Sequence, residues 1–328
     1  MKREEAPKVT AASGVVQYAG IARAREFLKL KARSVAYREP TRKWMGFLNS
    51  HEFYARLVAH NPYLLRKIYR SYLTNKLDCA QRVSQLIGHY SFARSIGWNP
   101  VILKAAASPM LLAEFAGKSA ARYRLTLECG MKMDREGDLA LRLFREDALI
   151  CSCSFSFLKL DRWCIAIGGL QGPRHDGLAL MREAGRDFFG LHPKRLMLKL
   201  MRNLGHELGA GKVYLVGNDN HALASFRKDG KLLADYDGFW ESCGALLRAD
   251  GNFELDCVPL QPPVLADFVA KKRSAISKQY ELLCEVSGQA DQALKREVAA
   301  QESIPTIQAI RRHSDGLFFN LTDNLGSL

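Results

Sequence analysis

Two periodicities divide the chain. From about residue 21 to residue 90, apolar positions recur at helical spacing. IARAREFLKLKAR (21–33) reads as a basic amphipathic helix, and a second helix runs from about Arg42 to His60. Asn61-Pro62 ends that helix, and Pro62 can open the next. LLRKIYRSYL and Leu77–Ile87 continue the pattern up to His89 and Tyr90. In LLRKIYRSYL, Arg66, Lys67 and Arg70 surround Ile68 and Tyr69, which predicts one basic helix face opposite an apolar one.

After about residue 120 the period shortens to two. YRLTLEC, DLALRLFRED, ALICSCSFSFL and WCIAIGGL read as four successive strands separated by charged or Gly-containing turns, an antiparallel meander. LALMREAGRDFFG and KRLMLKLMRNLGHELG follow as helical segments. In the second, Leu196, Leu200, Leu204 and Leu208 form one stripe, and Gly209 and Gly211 end it. KVYLVGN is a short apolar strand, NDNHALASFRK a helical turn, FELDCV a last strand, and the chain is helical again from Pro263 to about Ala299. The expected fold class is α+β: a basic helical region over 1–115, a mixed, mostly antiparallel sheet flanked by helices over 116–260, and a C-terminal helical extension over 261–328.

Charge sharpens this division. The net charge is +14; residues 1–100 hold 18 Lys and Arg against 6 Asp and Glu, while residues 101–328 hold 30 against 28. The basic third suits a polyanion: an anionic membrane surface or an acidic partner protein. No zinc-finger spacing, zipper heptad or RNP-type strand is present, so specific nucleic-acid binding is not expected. No run reaches the roughly 18 apolar residues of a membrane span, and MKREEAPK leads into no apolar stretch, so no secretory signal is expected. Eight cysteines include no CxxC; Cys151 and Cys153 share a strand face. Buried reduced thiols in a cytoplasmic protein, with no metal, are the expectation.

The element order resembles the GNAT acyltransferase architecture: four antiparallel strands, a helix, a strand able to pair in parallel, a helix and a last strand. That resemblance implies a gap where WCIAIGGLQGP and KVYLVGN part, holding the thioester arm of acyl-CoA or of the phosphopantetheine group on acyl carrier protein. Gly168 and Gly169 would permit a bulge or a close backbone approach. Leu170, Gln171, Gly172 and Arg174 would lie along the donor, and Asn218 at the end of the second strand could hold the pantetheine. The GNAT pyrophosphate loop is not reproduced: Gln171 is followed by GPRHDG, which favours an acidic carrier protein, suited to the basic third, over free coenzyme A.

IGGLQGP, GLHPKRLMLKLMRNLGHELG, VGNDNHAL and DYDGFWESCGA, with PYLLRKIYRSYL and the His89–Tyr90 pair, together resemble the VirK/YbjX family of bacterial proteins over roughly residues 50–260. The resemblance implies a setting of virulence, the envelope and antimicrobial-peptide resistance in Gram-negative bacteria, and supplies no reaction. The acyl-transfer expectation comes from element order alone, and its acceptor is an amine or hydroxyl of a peptide, lipid or small molecule. Histidine titrates near neutrality, so His221, just after the second strand, is the expected general base. Tyr236 is the expected acid for the leaving thiolate. The alternative is a non-enzymatic cationic binding or regulatory protein of the envelope or of virulence expression, working through the basic third. The two readings separate on whether the strands part and what lies between them.

Overall fold

The computed structural model describes residues 8–130, 135–173, 177–225 and 235–302. Capping and turn residues set where its helices begin. Asp78 accepts from Gln81 N–H and Gln81 returns a bond to Asp78 N–H, opening α4 (Cys79–Ser95) with a capping box. His192 caps α7 (Pro193–Glu207), whose first residue is proline, and Gly209 at φ +72° lets the chain leave it. The remaining N-terminal helices are α1 (Gly20–Ala36), α2 (Arg38–Leu48), α3 (Glu52–His60) and α5 (Asn99–Ala107). The expected 42–60 helix is thus two helices, divided at 49–51, where Asn49 turns its side chain back onto Val9.

Among the described residues eight strands form one sheet in the order β1-β2-β3-β4-β5-β6-β8-β7. β1 (Met110–Ala116), β2 (Arg122–Cys129), β3 (Leu139–Arg145), β4 (Ala148–Lys159) and β5 (Trp163–Gln171) are the antiparallel run. α6 (Gly177–Asp187) and α7 then return the chain to β6 (Lys212–Leu215), which pairs parallel to β5. α8 (Tyr236–Ser242), β7 (Leu246–Leu247), β8 (Phe253–Asp256) and α9 (Ala270–Glu302) complete the order. This is the α+β architecture expected from the sequence. β1 is an additional strand, and it crosses the expected 115/116 boundary. The core runs unbroken from Trp44 and Leu57 through Tyr90 to Leu141 and Val286. Among the described residues no helix is long and apolar enough to cross a membrane.

α9 lies against β1, α5 and α7. Between it and the sheet is a cavity of about 310 Å³, lined by apolar side chains including Trp98, Leu112, Leu125, Leu141, Leu200 and Leu294.

The expected basic face around residue 66 is not a surface. Pro62–Tyr69 winds as a 3-10 helix, whose three-residue turn swings Arg66 and Lys67 inward, and both are buried. Arg66 pairs with Glu26 at 2.9 Å and meets the Tyr18 hydroxyl. Lys67 Nζ lies 2.8 Å from Asp138 Oδ1 and donates to Gly137 O. Tyr72 donates to Asp138 Oδ2 at 2.5 Å and lies 2.7 Å from Ser156 Oγ, while Tyr90 donates to Asp138 Oδ1. His89, wholly buried beside this network, accepts from Phe157 N–H through Nδ1. Burial would raise the Asp138 carboxyl, but Lys67, His89 and the tyrosine bond hold it below its ordinary value. Burial pushes His89 down to about 4, against the pull of Asp138.

Two outcomes follow from this network. Lys67→Met strands the Asp138 charge and costs ~3–5 kcal/mol in urea unfolding, part of which returns in the Lys67→Met, Asp138→Asn double variant, which removes the charge and keeps an acceptor for the tyrosines. His89 is neutral in the fold and titrates near 6.5 when unfolded, so its contribution is complete above that pH and is lost as pH falls toward 4, at most ~3 kcal/mol. His89→Asn, which keeps an acceptor for Phe157, flattens the slope of stability against pH in that window.

Candidate functional site

β5 and β6 pair only from Cys164↔Lys212 to Ile167↔Leu215, with one further bond from Val216 N–H to Ile167 O. Beyond this point they part. On its other edge β5 carries an extra residue at the same place: Phe155 faces Ile167 and Ser154 faces Gly169, so Gly168 is left over as a bulge. Both features expected of Gly168 and Gly169 are therefore present, and they coincide.

The space where the strands part holds Glu136. A Cβ on Gly168 would overlap the Glu136 carbonyl oxygen, and a Cβ on Gly169 would overlap its Oε2. Gly137 has the same role one residue on, since a side chain there would strike the Phe155 backbone. Three glycines thus let residues 136–138 lie flat on β4 and β5. Gln171 donates to Glu136 Oε1 at 2.6 Å, and His221 Nε2 lies 3.0 Å from the same oxygen, at ion-pair distance but without hydrogen-bond alignment. Glu136 Oε2 is buried and meets no hydrogen-bond partner among the described residues. His221 Nδ1 accepts from Leu223 N–H, which places the proton of the neutral ring on Nε2, toward the carboxylate.

Tyr236 stacks on His221 with centroids 5.0 Å apart and rings 18° from parallel, and Trp240 stacks on Tyr236 in turn. The two expected catalytic side chains are therefore in contact, and both are fully buried. The N-terminal region closes the site. Thr74 bridges to His221, Asn75 N–H donates to Asn220 O, and Leu73 N–H donates to Arg135 O. Leu73 itself sits at φ +60°, in a three-residue turn closed by Thr74 N–H on Tyr72 O, a strained conformation that tertiary contacts must hold.

One sheet face beside Glu136 is polar. The cross-strand register aligns Thr126, Arg142, Ser152 and Gln171 in one row, and Glu128, Ala140, Ser154 and Gly169 in the next. Arg142 and Glu128 pair at 3.0 Å between the rows. Thr126 Oγ1 and Ser152 Oγ are buried with no hydrogen-bond partner among the described residues. Cys151 and Cys153 point to the opposite, apolar face, where burial pushes Cys151 up to about 12 and leaves it an inert thiol.

The other expected site residues fall elsewhere. Leu170 packs in the core opposite Cys153. Gly172 follows β5 and lies near Met181. Asn218 uses its side chain on the next helix, accepting from Tyr236 N–H and donating to Asp235, so it is not directed into the gap. Arg174 and His175 lie outside the described residues. Sequence reasoning missed Glu136, Asp138 and the serine row. Glu136 falls in REGD (135–138), which has the pattern of an ordinary charged turn. The serines did leave a signal: in ICSCSFSF, Ser152, Ser154 and Ser156 alternate with apolar residues and so must share a face.

Fold and site define an α+β protein whose central strands diverge around a buried carboxylate–imidazole pair. The chain belongs to the family described as "Protein of unknown function (DUF535)", whose model matches residues 20–292. It is 28% identical to the "Uncharacterized protein YbjX" of Escherichia coli (strain K12) over 263 residues, covering 78% of this chain and 79% of that protein. An "Uncharacterized protein" of Haemophilus influenzae is 22% identical over 264 residues, covering 79% and 87%. Among solved structures, a cAMP-binding acyltransferase from Mycobacterium smegmatis aligns with 57% of this chain and 60% of its own, at 11% identity and a TM-score of 0.28. The VirK/YbjX resemblance read from the sequence is thereby established.

Glu136→Gln, which removes a buried charge while keeping the Gln171 bond, leaves stability unchanged or raises it by ~1 kcal/mol. Gly168→Ala and Gly169→Ala each cost ~1–3 kcal/mol. Adding Glu136→Ala rescues Gly169→Ala, which meets the carboxylate, and not Gly168→Ala, which meets backbone. Thermal unfolding of the four variants checks this pattern.

Proposed function

We propose that the chain is an acyltransferase, moving an acyl group from a thioester, acyl-CoA or the phosphopantetheine arm of acyl carrier protein, to an amine or hydroxyl of a peptide, lipid or small molecule. The supporting observation is the coincidence, at one point of the sheet, of the bulge at Gly168, the parting of β5 from β6, and a buried carboxylate oxygen with no described partner. Buried polar atoms in native proteins are almost always satisfied, so Glu136 Oε2, Ser152 Oγ and Thr126 Oγ1 grouped on one face read as a site for a polar ligand.

In this reading Glu136 replaces His221 as the base. Neither nitrogen of His221 is open: Nδ1 is bonded to Leu223 N–H and Nε2 faces the carboxylate. His221 and Gln171 are positioning residues that hold Oε1 and leave Oε2 to take the acceptor proton. As that proton transfers, the acceptor atom bonds to the acyl carbon and the carbon–sulfur bond breaks. Tyr236 supplies a proton to the departing thiolate. The bulge frees the backbone of Gly168 from the β4 ladder, where its N–H can meet the oxyanion. The Glu136 side chain occupies the gap, held by Gln171 and His221, so in this reading the donor lies alongside it, over the face that carries Ser152 and Thr126.

The test incubates the full chain with acetyl-CoA, palmitoyl-CoA and acylated carrier protein against a panel of amines, lysophospholipids and basic peptides. Thiol release and the mass of the acylated product are followed. Thioester loss that depends on an acceptor is expected, falling at least ~100-fold in Glu136→Gln with no loss of thermal stability. His221→Asn lowers the rate and displaces its pH profile. If no donor shifts the melting temperature and no thioester is consumed, the reading fails and the basic third becomes the working surface.

A further inference from the structure

α1 carries two apolar stripes, and only one is used. Its inner side meets the protein through Leu30, which packs over Gly14, and through Glu26, which pairs with Arg66. Its outer side is apolar as well. Ile21, Leu28 and Val35 are 89%, 67% and 78% exposed. They recur every seven residues, and with the exposed Ala24 and Ala32 they fall within about 80° of one another at 100° per residue. Arg25 and Lys29 border one edge of this stripe and Lys31 the other. Arg23 and Arg33 are exposed farther round, and Glu26, turned inward, is the helix's one acid. Tyr37, also exposed, closes the helix.

We infer that α1 lies flat on an anionic phospholipid bilayer, with Ile21, Leu28 and Val35 below the headgroups and Arg25, Lys29 and Lys31 reaching lipid phosphates. An interfacial helix needs an apolar stripe edged by long cationic side chains whose stems stay apolar while the charges rise to the headgroups. The chemistry selects this occupant. A second copy zipped along the seven-residue repeat would set Arg25, Lys29 and Lys31 against their own kind, and the helix's single acid, Glu26, is already shared among Arg66, Lys29 and Arg25. A nucleic acid would leave the apolar stripe in water. The inference stands apart from the acyl-transfer reading, since it uses no residue of the gap.

Co-sedimentation of the full chain with large unilamellar vesicles tests it. Binding is expected to equimolar phosphatidylglycerol and phosphatidylcholine at 0.1 M salt, to be weak on phosphatidylcholine alone, and to fall as salt rises. The double variant Leu28→Asn, Val35→Asn should keep its circular dichroism and melting temperature, because both side chains are exposed, yet bind at least ~10-fold more weakly. Lys29→Gln, Lys31→Gln should weaken binding and flatten its salt dependence. Leu246→Asn, Leu247→Asn, an exposed apolar pair on β7, should bind like the parent. The inference is overturned by absence of sedimentation with anionic vesicles, by binding that survives Leu28→Asn, Val35→Asn, or by equal binding to both compositions. It is also overturned by a concentration-dependent dimer, dissolved by the same pair of substitutions, in a protein that ignores vesicles.

Discussion

The buried ion pair between Lys67 and Asp138 constrains everything around it. Two charges removed from water must satisfy one another and their remaining lone pairs, or the fold bears an uncompensated charge. Here the Asp138 oxygens are met by Lys67, Tyr72 and Tyr90, and the Asp138 N–H by Ser156 Oγ. That demand fixes the 3-10 helix, α4, the entry to β3 and the last third of β4 relative to each other. An ion pair of this kind contributes modest net stability and strong geometric specificity, because few other arrangements satisfy so many groups at once.

The specificity is transmitted along the backbone. Tyr72 belongs to the Asp138 network, Leu73 bonds to Arg135, and Thr74 touches His221. Asp138 is two residues from Glu136. One strained turn therefore spans both polar clusters, and the helical region and the sheet meet at the point where the central strands diverge. The carboxylate in the gap is held from three directions: by β5 through Gln171, by the post-β6 segment through His221, and by the close backbone approach that Gly168 and Gly169 allow.

Much of this was legible in the residues. Period-two alternation located β2 to β5, and the isolated apolar KVYL located β6. The paired glycines marked the bulge, and VGNDNHA placed a histidine beside it. What failed did so for tertiary reasons. LLRKIYRS has the pattern of a surface helix with a basic face, and nothing local shows that Lys67 meets a carboxylate 71 residues away. Asn218 looked free to hold a ligand until Asp235 and Tyr236, distant in sequence and adjacent in space, claimed both ends of its amide. Glu136 was hidden for the same reason: a lone acid between glycine and charge is ordinary turn chemistry, and only the fold carries it under two strands.

The void beneath α9 has a mechanical meaning. Its roughly 310 Å³ is lined by Trp98, Leu112, Leu125 and Leu141 and also by Asn203, Glu207, Asp291 and Lys295, so packing there is looser than in the sheet and hydrostatic compression acts on it more. Unfolding abolishes that volume. Pressure therefore favours loosening where the long terminal helix rides on the sheet before it reaches the buried pair of Lys67 and Asp138.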